Sequence, residues 1–313
     1  NYTVSSAVMN ECIKIAGIRH VLTSRKVMEK FNFELDAEVT YLDDLREKLS
    51  LPDKIAGAVG AYAMPSGMLN SQLGIKKVHP DDVLTVIFTS GSTGTPKGVM
   101  LTHSNISTNV EAIDQVIGLD PKDVIIGILP FFHSMGFTVT LWCVMALDIK
   151  GVYHPNPLES RQVGKLTKKH GGTILLSTPT FLRSYLRRVS KEDFATVDTV
   201  VAGAEKLPTD LCDAFEEKFG VRPVEGYGTT ELSPLVSVNI PPSRTHDTHQ
   251  KQLCEGSVGR CIPGVSAKII DVDSGEERGV GEEGLLWIKG PNVMKGYLNN
   301  PEKTAEVLVD GWY

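Results

Sequence analysis

Apolar runs alternate with amphipathic stretches through most of the chain, and this alternation predicts an α/β fold. Residues 83–89 (VLTVIFT) are continuously apolar or β-branched, a pattern typical of a buried strand. Further strands are predicted at residues 20–23, 124–129, 173–176 and 199–202. Because segments with helical spacing lie between these strands, we expect a largely parallel sheet with helices packed on it.

Several segments have the apolar spacing or the flanking signals of helices. They are residues 5–16, 43–49, 104–117, 134–147, 158–170, 179–189 and 208–219. Thr102 or Ser104 caps the third of these helices, and Gly220 ends the last one. Residues 52–80 show no clear periodicity, which favours a long connection.

The pattern changes after about residue 240. Residues 241–252 are polar and rich in turn-forming residues, and short strands without helices are predicted at residues 267–271 and 284–289. The chain is therefore predicted to divide into an α/β body over residues 1–240, with room for two sheets, and a small β subdomain over residues 241–313. We expect that subdomain to be a distorted β-barrel.

Composition and charge exclude several classes of protein. The chain has 313 residues, of which 41% are hydrophobic and 22% charged, as in globular proteins. Its net charge of −6 argues against a nucleic-acid-binding protein that acts through a global positive field. The most apolar run, residues 135–147, is shorter than the ~20 residues of a membrane-spanning helix, and residues 1–20 lack the pattern of a signal peptide. The five cysteines are widely spaced without a CxxC pair, which indicates reduced thiols in the cytoplasm.

The strongest chemical signal is residues 89–98 (TSGSTGTPKG), which follow the buried strand directly. Glycines let the backbone approach a ligand closely, hydroxyls and backbone N–H groups form a cradle for an anion, and a lysine adds a positive charge suited to phosphate. A P-loop is disfavoured because Lys97 stands between Pro96 and Gly98 and an apolar strand follows it. The candidate phosphate-binding residues are Thr89, Ser90, Gly91, Ser92, Thr93, Gly94 and Lys97.

Three further segments carry candidate chemistry. Residues 225–231 (EGYGTTE) combine an aromatic ring, two glycines, two hydroxyls and carboxylates, although a strand and turn around a buried tyrosine would have the same composition. Residues 203–207 (GAEKL) follow a predicted strand, where ligands lie in α/β sheets, and are otherwise an ordinary turn. Residues 129–136 (LPFFHSMG) place His133 before the most apolar helix, in a structural or a substrate-binding role.

Residues 89–98 resemble the phosphate-loop signature of the adenylate-forming superfamily, which includes acyl-CoA synthetases, adenylation domains and luciferases. The resemblance extends to residues 225–231, 203–205 and 129–136 and implies the large amino-terminal domain of that fold without its carboxy-terminal domain. It implies that the loop binds the β- and γ-phosphates of ATP, that Tyr227 stacks on adenine, that Thr230 contacts the α-phosphate and that Glu231 holds Mg²⁺. Lys97, Thr230 and Glu231 are then the catalytic candidates, and His133 and Gly136 border the acyl site. The remaining nucleotide-binding candidates are Gly203, Ala204, Glu205, Glu225, Gly226, Gly228 and Thr229.

Several stretches are similar in sequence to the synthetase half of the bifunctional 2-acylglycerophosphoethanolamine acyltransferase/acyl-ACP synthetases. They are residues 130–142 (PFFHSMGFTVTLW), 177–188 (STPTFLRSYLRR), 200–207 (VVAGAEKL), 225–239 (EGYGTTELSPLVSVN) and 289–298 (KGPNVMKGYL). This resemblance implies that a fatty acid is activated as acyl-AMP and passed to a thiol of acyl carrier protein or CoA, for lysophospholipid acylation. The basic clusters Lys165, Lys168, Lys169 and Arg183, Arg187, Arg188 are either a docking surface for acidic acyl carrier protein or solvated helix faces. An aryl- or amino-acid adenylating domain and a non-catalytic nucleotide-binding module are the alternatives.

Both ends of the chain depart from the family pattern. The chain begins at Asn1 without methionine and stops at Tyr313, before the family's ribose-binding aspartate, and Asp310 is not that residue. We therefore expect a fragment with little activity alone, whose missing carboxy-terminal domain is its partner in the intact protein. Membrane association, at the cytoplasmic face of the inner membrane, is expected only through parts outside this chain.

Overall fold

The computed structural model describes residues 3–90, 94–245 and 251–313. The chain forms two compact units. The first comprises Asn1–Asp82, Phe88–Gly98 and Tyr297–Asn299, and the second comprises Val83–Ile87, Val99–Gly296 and Asn300–Tyr313. The division at residue 240 remains a prediction.

The first unit is built mainly from short helices around one pair of parallel strands. Its elements are α1 (Ser6–Ala16), β1 (His20–Thr23), α2 (Arg25–Phe31), β2 (Glu38–Tyr41), α3 (Leu42–Lys48), α4 (Leu51–Tyr62) and α5 (Ser66–Gln72). β1 and β2 pair in parallel, with His20 opposite Glu38. The predicted helix at residues 5–16 and the strand at residues 20–23 are confirmed.

The long connection predicted over residues 52–80 is wrong, because α4 and α5 occupy most of it. Neither helix contains a buried residue, so no buried stripe imposes a period of 3.6 on its apolar positions. A start signal was nevertheless present, since Ser50 and Asp53 form a reciprocal capping box at the start of α4.

The next two strands are β3 (Val83–Ser90) and β4 (Pro96–Thr102), which confirms the predicted strand before the glycine- and hydroxyl-rich loop. The second unit continues with the helices α6 (His103–Ile117), a π-helix (Gly136–Trp142), α7 (Cys143–Ala146), α8 (Ser160–His170), α9 (Pro179–Arg188), α10 (Thr209–Phe219) and α11 (Pro301–Val307). Thr102 is the residue that caps α6, by accepting a hydrogen bond from the Asn105 amide.

Seven strands form the main sheet of the second unit. They are β5 (Val124–Gly127), β6 (Lys150–Tyr153), β7 (Ile174–Ser177), β8 (Thr199–Ala202), β9 (Val224–Gly228), β10 (Leu235–Val238) and β11 (Arg260–Cys261), in the spatial order β11-β10-β9-β8-β7-β5-β6. The five neighbouring strands β9, β8, β7, β5 and β6 run parallel to one another, whereas β10 pairs antiparallel with both β9 and β11. The predicted parallel α/β architecture is confirmed, and β6, β9 and β10 complete it.

Helices α8, α9 and α10 cover one face of this sheet, as right-handed crossovers between parallel strands require. An aromatic cluster lies under them: the ring centroids of Phe194 and Phe219 are 5.1 Å apart, and those of Phe215 and Phe219 are 4.6 Å apart. Phe194 and Phe215 are fully buried, as is Tyr185, whose hydroxyl donates to the Pro157 carbonyl. This packing fixes the positions of the strands whose loops carry the candidate chemistry.

Short strands follow residue 240, as predicted, and they distribute over three sheets. β11 joins the main sheet, β12 (Ser266–Ile270) pairs antiparallel with β13 (Leu285–Lys289), and β14 (Gly296–Tyr297) lies beside β4 in a sheet of order β14-β4-β3. α11 is a helix that the sequence pattern did not predict. Among the described residues, no helix is both long and apolar enough to span a membrane.

Candidate active site

The parallel strands β5, β7, β8 and β9 end at one edge of the main sheet. Residues 129–136 follow β5, residues 203–205 follow β8, and residues 225–231 begin within β9 and continue past its end. Ligands of open α/β sheets bind at this carboxyl edge. The second unit therefore brings residues 129–136, 203–205 and 225–231 to the same edge, although they are far apart in the sequence.

The segment after β8 is held in an unusual backbone conformation. The Gly203 amide donates to the Ser177 carbonyl across the end of β7 at 3.2 Å. Ala204 has φ +68°, a left-handed conformation that costs a non-glycine residue about 1 kcal/mol or more and that persists where neighbouring structure enforces it. Glu205 accepts a hydrogen bond from the Thr180 hydroxyl at 2.8 Å, which ties this turn to the start of α9.

β9 contains most of the second segment, and its glycines allow a very close approach of two backbones. A Cβ atom on Gly228 would lie 1.8 Å from the Pro234 carbonyl oxygen, so no other residue fits there. Gly226 packs against Val201 and Leu235. Tyr227 is half-buried and packs against a cluster of Leu232, Val236 and Ile288. Glu225 lies at the start of this segment, where its carbonyl accepts from the Asn239 amide.

The turn after β9 carries hydroxyls and a carboxylate. The Thr229 hydroxyl is buried, and the described part of the chain offers it no hydrogen-bond partner. The Thr230 hydroxyl lies 3.3 Å from the Ser134 hydroxyl, which connects this turn to the segment after β5. Glu231 is only 8% exposed, and its backbone carbonyl accepts from the Met294 amide.

The third segment, after β5, reaches the other two through its side chains. The Met135 methyl group lies 3.1 Å from the position of a Cβ atom on Gly203, so that Met135 packs over the turn after β8. Gly136 is buried, and a Cβ atom there would lie 2.2 Å from the Pro130 carbonyl oxygen. His133 is exposed beside Phe132, and partial desolvation lowers the pKa of its imidazole, which favours the neutral form at pH 7.

Two residues that organise this edge were not predicted from the sequence. The Thr138 hydroxyl is fully buried and donates to the Ser233 carbonyl at 2.8 Å, and Ser134 makes the contact with Thr230. Both lie at the start of the apolar segment 134–147, half of which is a π-helix rather than the predicted regular α-helix. The hydroxyl residues Ser134, Thr138 and Thr140 in a mostly apolar stretch were the signal that the sequence offered. The π-helix itself is a second indication, because π-helices occur frequently at functional sites.

The glycine- and hydroxyl-rich loop belongs to the first unit. Thr89 and Ser90 end β3, and residues 91–93, which include the predicted Gly91, Ser92 and Thr93, lie outside the described residues. Gly94 has φ +82°, the left-handed conformation that favours glycine. Lys97 is on β4, its ammonium 5.0 Å from the centre of the Tyr297 ring, and the described residues place no carboxylate within 4.0 Å of it.

The residues of the second unit fit a nucleotide with its cation. The unpartnered Thr229 hydroxyl supplies a polar group that a ligand would satisfy. Among residues 3–90, 94–245 and 251–313, no three His, Cys, Asp or Glu side chains form a metal site. Glu231 alone fits Mg²⁺ only in the way that Mg²⁺ is usually bound, by one or two carboxylates plus substrate phosphates and water.

Comparison with known proteins agrees with this arrangement. Residues 1–298 match the AMP-binding enzyme family. The chain is 35% identical over 247 residues to a long-chain-fatty-acid–CoA ligase of Bacillus subtilis, covering 77% of this chain and 42% of the relative. It is 29% identical over 314 residues to the enzyme of that name from Salmonella typhimurium, covering 97% of this chain and 53% of the relative. It is 34% identical over 245 residues to 4-coumarate–CoA ligase 3 of Oryza sativa subsp. japonica, covering 75% and 43%.

Solved structures show the same fold. The crystal structure of MatB from Rhodopseudomonas palustris superposes with a TM-score of 0.76 at 27% identity and covers all of this chain and 58% of that chain. The chain spans about half the length of the curated relatives that it matches. It therefore belongs to the AMP-binding enzyme family, with the fold of the large amino-terminal domain of adenylate-forming enzymes.

Proposed function

We propose that the protein containing this chain activates the carboxylate of a fatty acid with ATP and transfers the acyl group to the thiol of CoA. The observation that carries the proposal is the meeting of the segments after β5, β8 and β9 at one sheet edge, with the buried unpartnered hydroxyl of Thr229 among them. The similarity to two long-chain-fatty-acid–CoA ligases supports the substrate and the acceptor.

In the first proposed step, a carboxylate oxygen attacks the α-phosphorus of ATP. A bond forms between this carboxylate oxygen and the α-phosphorus. The bond between the α-phosphorus and the oxygen that bridges to the β-phosphate breaks, and pyrophosphate leaves with that electron pair. Every group involved is anionic, so the enzyme accelerates the step mainly by positioning and by neutralising charge. Lys97 supplies positive charge for this task, since the described residues place no carboxylate within 4.0 Å of its ammonium, and Thr230 contacts the α-phosphate in the proposed site.

Other residues hold the reactants in this proposal. Residues 89–94 hold the β- and γ-phosphates through hydroxyls and backbone amides. Tyr227 stacks on adenine, and Gly203, Ala204 and Glu205 border the base. Glu231 holds Mg²⁺, which when bound neutralises phosphate charge. His133 and Gly136 border the acyl chain, and the neutral state of the His133 imidazole adds no charge beside an apolar tail.

In the second step, the thiolate sulfur of the acceptor attacks the acyl carbon, and AMP leaves. CoA is the proposed acceptor because it is the thiol in the names of the similar enzymes. Acyl carrier protein, and with it a supply of acyl groups for lysophospholipid acylation, is the second candidate. Turnover with each thiol, measured side by side, distinguishes the two.

Activation of an aryl acid is a second candidate function, because the chain is also 34% identical to a 4-coumarate–CoA ligase. A panel of saturated fatty acids and hydroxycinnamic acids, assayed by acid-dependent release of pyrophosphate, separates the two substrate classes. Activity confined to hydroxycinnamic acids would exclude the fatty-acid assignment while leaving the adenylation chemistry intact.

The proposed site is tested by fatty-acid-dependent exchange of pyrophosphate into ATP in the intact protein that contains this chain. We expect Lys97→Ala and Glu231→Gln to lower the exchange rate by about 100-fold or more each, as loss of a group that stabilises developing charge does. Lys122→Ala and Glu217→Ala, both at exposed positions away from the carboxyl edge, serve as matched controls and should retain the rate. Undiminished exchange in both site variants would overturn the assignment of these residues.

A further inference from the structure

The helices α8 and α9 carry an unusual concentration of positive charge. Together they contain no Asp or Glu and seven cationic residues, which we call the basic helical face: Arg161, Lys165, Lys168, Lys169, Arg183, Arg187 and Arg188. The net charge of −6 therefore divides into +7 on these two helices and −13 on the rest of the chain. Charge so strongly separated produces a local positive potential in a protein that is acidic overall.

All seven cationic side chains are exposed, and their spacing places them on outward-facing stripes. On α8, Arg161, Lys165, Lys168 and Lys169 alternate with the buried Val163, Gly164 and Thr167. On α9, the buried Pro179, Leu182 and Tyr185 define the opposite, inward stripe. Because α8 and α9 pack side by side, the two stripes form one continuous surface.

Few of these charges are neutralised within the protein. Lys168 lies 4.0 Å from Asp193, and Arg183 lies 3.6 Å from Asp210. The described residues place no carboxylate within 4.0 Å of the other five, which are Arg161, Lys165, Lys169, Arg187 and Arg188. Five unpaired cations on one surface remain available to an external anion.

Helix stabilisation accounts for only part of this charge. Lys168, Lys169, Arg187 and Arg188 lie in the last turns of their helices, where cations interact favourably with the helix dipole. Arg161 lies in the first turn of α8, where the dipole disfavours a cation, and Lys165 and Arg183 lie in the middle of their helices. These three positions therefore have no explanation in helix stability.

The carboxy-terminal part of this surface lies away from the candidate active site, whereas Arg161, in the first turn of α8, lies at the carboxyl edge. α8 and α9 each connect parallel strands of the main sheet, so both run against the strand direction and end at the amino edge. Lys169, Arg187 and Arg188 therefore lie at the opposite edge from residues 203–205 and 225–231. Cations at this edge do not serve the phosphates of a nucleotide bound at the carboxyl edge.

We infer that the basic helical face binds the surface of an anionic phospholipid bilayer. Binding to a protein normally depends on a few buried aromatic or large apolar anchors, and none of the large apolar residues exposed in the described structure lies on α8 or α9. Flexible cationic side chains without apolar anchors match the diffuse negative charge of a lipid surface, to which each Lys or Arg near the surface adds attraction. The absence of exposed aromatic rings on this face also disfavours single-stranded nucleic acid, whose bases stack on them.

This assignment places a membrane contact within the chain, whereas the sequence-based expectation located membrane association outside it. The benefit to catalysis rests on the proposed function, since long-chain fatty acids dissolve in bilayers. With the amino edge of the sheet on the lipid, the carboxyl edge and its loops remain accessible to ATP and CoA.

The inference is tested by flotation of the full chain with phosphatidylcholine vesicles that contain about one third phosphatidylglycerol, with pure phosphatidylcholine as reference. We expect binding to the anionic vesicles at low salt and its loss at about 0.5 M salt, because salt screens exposed charges. The variant Lys165→Gln/Lys169→Gln/Arg187→Gln/Arg188→Gln should bind at least about tenfold more weakly.

Two control variants separate charge from folding. Lys165→Arg/Lys169→Arg/Arg187→Lys/Arg188→Lys keeps every charge and should bind as the original chain does. Lys48→Gln/Lys54→Gln/Lys76→Gln/Lys77→Gln removes the same number of charges from exposed positions in the first unit and should also bind normally. Circular dichroism of each variant verifies folding.

The inference is overturned if the chain does not float with anionic vesicles at low salt, or if the neutralised variant floats equally well. Retention on immobilised acyl carrier protein without vesicle flotation would overturn it in favour of an acidic protein partner. Pyrophosphate exchange with a fatty acid supplied in solution without vesicles is measured separately, in the intact protein that contains this chain. Failure of exchange with intact flotation contradicts the proposed function alone, and failure of flotation with intact exchange contradicts the lipid surface alone.

Discussion

The turn around Gly228 shows how single residues shape the candidate site. Gly228 faces the Pro234 carbonyl oxygen at a distance that excludes a side chain, and Ser233 beside it adopts φ +71°. The Ser233 carbonyl accepts from Thr138, while its hydroxyl donates to the Asn292 carbonyl at 2.8 Å. These contacts hold a strained turn next to Thr229, Thr230 and Glu231, where backbone strain is typical of functional sites.

We therefore predict that Gly228→Ala destabilises the protein and impairs the site. The added methyl group would overlap the Pro234 carbonyl oxygen, so two backbones must move apart, which we expect to cost about 1–3 kcal/mol. Differential scanning fluorimetry should show a lower Tm, by about 2–4 °C for each kcal/mol lost. Gly57→Ala is the matched control, because a Cβ atom there meets nothing within 4 Å. An unchanged Tm for Gly228→Ala would contradict the close contact.

Buried charge at the amino edge of the main sheet connects several elements of the second unit. Arg244 donates to both oxygens of Asp123 before β5, at 2.8 and 2.6 Å, and to Asp198 before β8 at 2.9 Å. Thr173, before β7, donates to Asp123 at 2.8 Å. Burial by itself would raise the pKa of Asp123, but the hydrogen bonds from Arg244, the Asp120 amide and Thr173 lower it overall. The hydrogen bonds to Asp123 and Asp198 raise the pKa of Arg244.

Removal of the arginine should reveal this pair in the pH dependence of stability. Arg244→Gln leaves a buried carboxylate without its partner, and we expect a loss of about 3–5 kcal/mol in the free energy of unfolding at pH 7. A carboxylate whose pKa is lowered by folding contributes stability above its unfolded pKa of about 3.9, and the contribution is lost as pH falls through the folded value. Urea unfolding at pH 7 and about pH 3 should therefore show the difference from the original chain shrinking with acid.

Two further variants check this interpretation. Asp123→Asn/Arg244→Gln removes both charges and should recover part of the lost stability at pH 7, because no buried charge is left unpaired. Lys303→Gln breaks an exposed pair with Glu306 and should have a far smaller effect. An equal loss for Arg244→Gln at both pH values would show that Asp123 is not the titrating partner.

At the scale of the whole molecule, the two units differ in how much they bury. In the second unit, every residue of β5, β7 and β8 is buried. In the first unit, α2, α3, α4 and α5 contain no buried residue, and apolar side chains such as Leu51, Met68 and Leu73 are at least 63% exposed. Because buried apolar surface is the main source of stability, the first unit contributes little of its own.

This difference predicts unequal hydrogen exchange within one chain. Amides of α4 and α5 should exchange through local opening that costs little free energy, whereas those of β7 and β8 should exchange only on global unfolding. Hydrogen–deuterium exchange followed by mass spectrometry of peptides covers both groups in one sample. Equal protection of the two groups would contradict the prediction and would indicate that another surface covers α4 and α5.

Local sequence determined most of the second unit's elements and the chemistry of its loops. Continuous apolar runs specify buried strands, and residues 199–202 form a strand with the predicted bounds, because a short strand buried on both faces needs only its own composition. Glycine, hydroxyl and carboxylate residues marked the segment after β9 in the same local way. Where no face is buried, as in α4, the periodicity carried no signal, and the prediction there was wrong.

The tertiary structure alone decided which of these segments meet. The contact between Ser134 and Thr230 spans 96 residues, and the hydrogen bond from Thr138 to Ser233 spans 95, so no local pattern records either one. They arise because parallel pairing in the order β9-β8-β7-β5 aligns the carboxyl ends of the strands. The same pairing places α8 and α9 side by side, which turns two basic helices into one surface. Sequence therefore determined which groups are present, and the order of the strands determined which of them act together, because proximity depends on long-range packing.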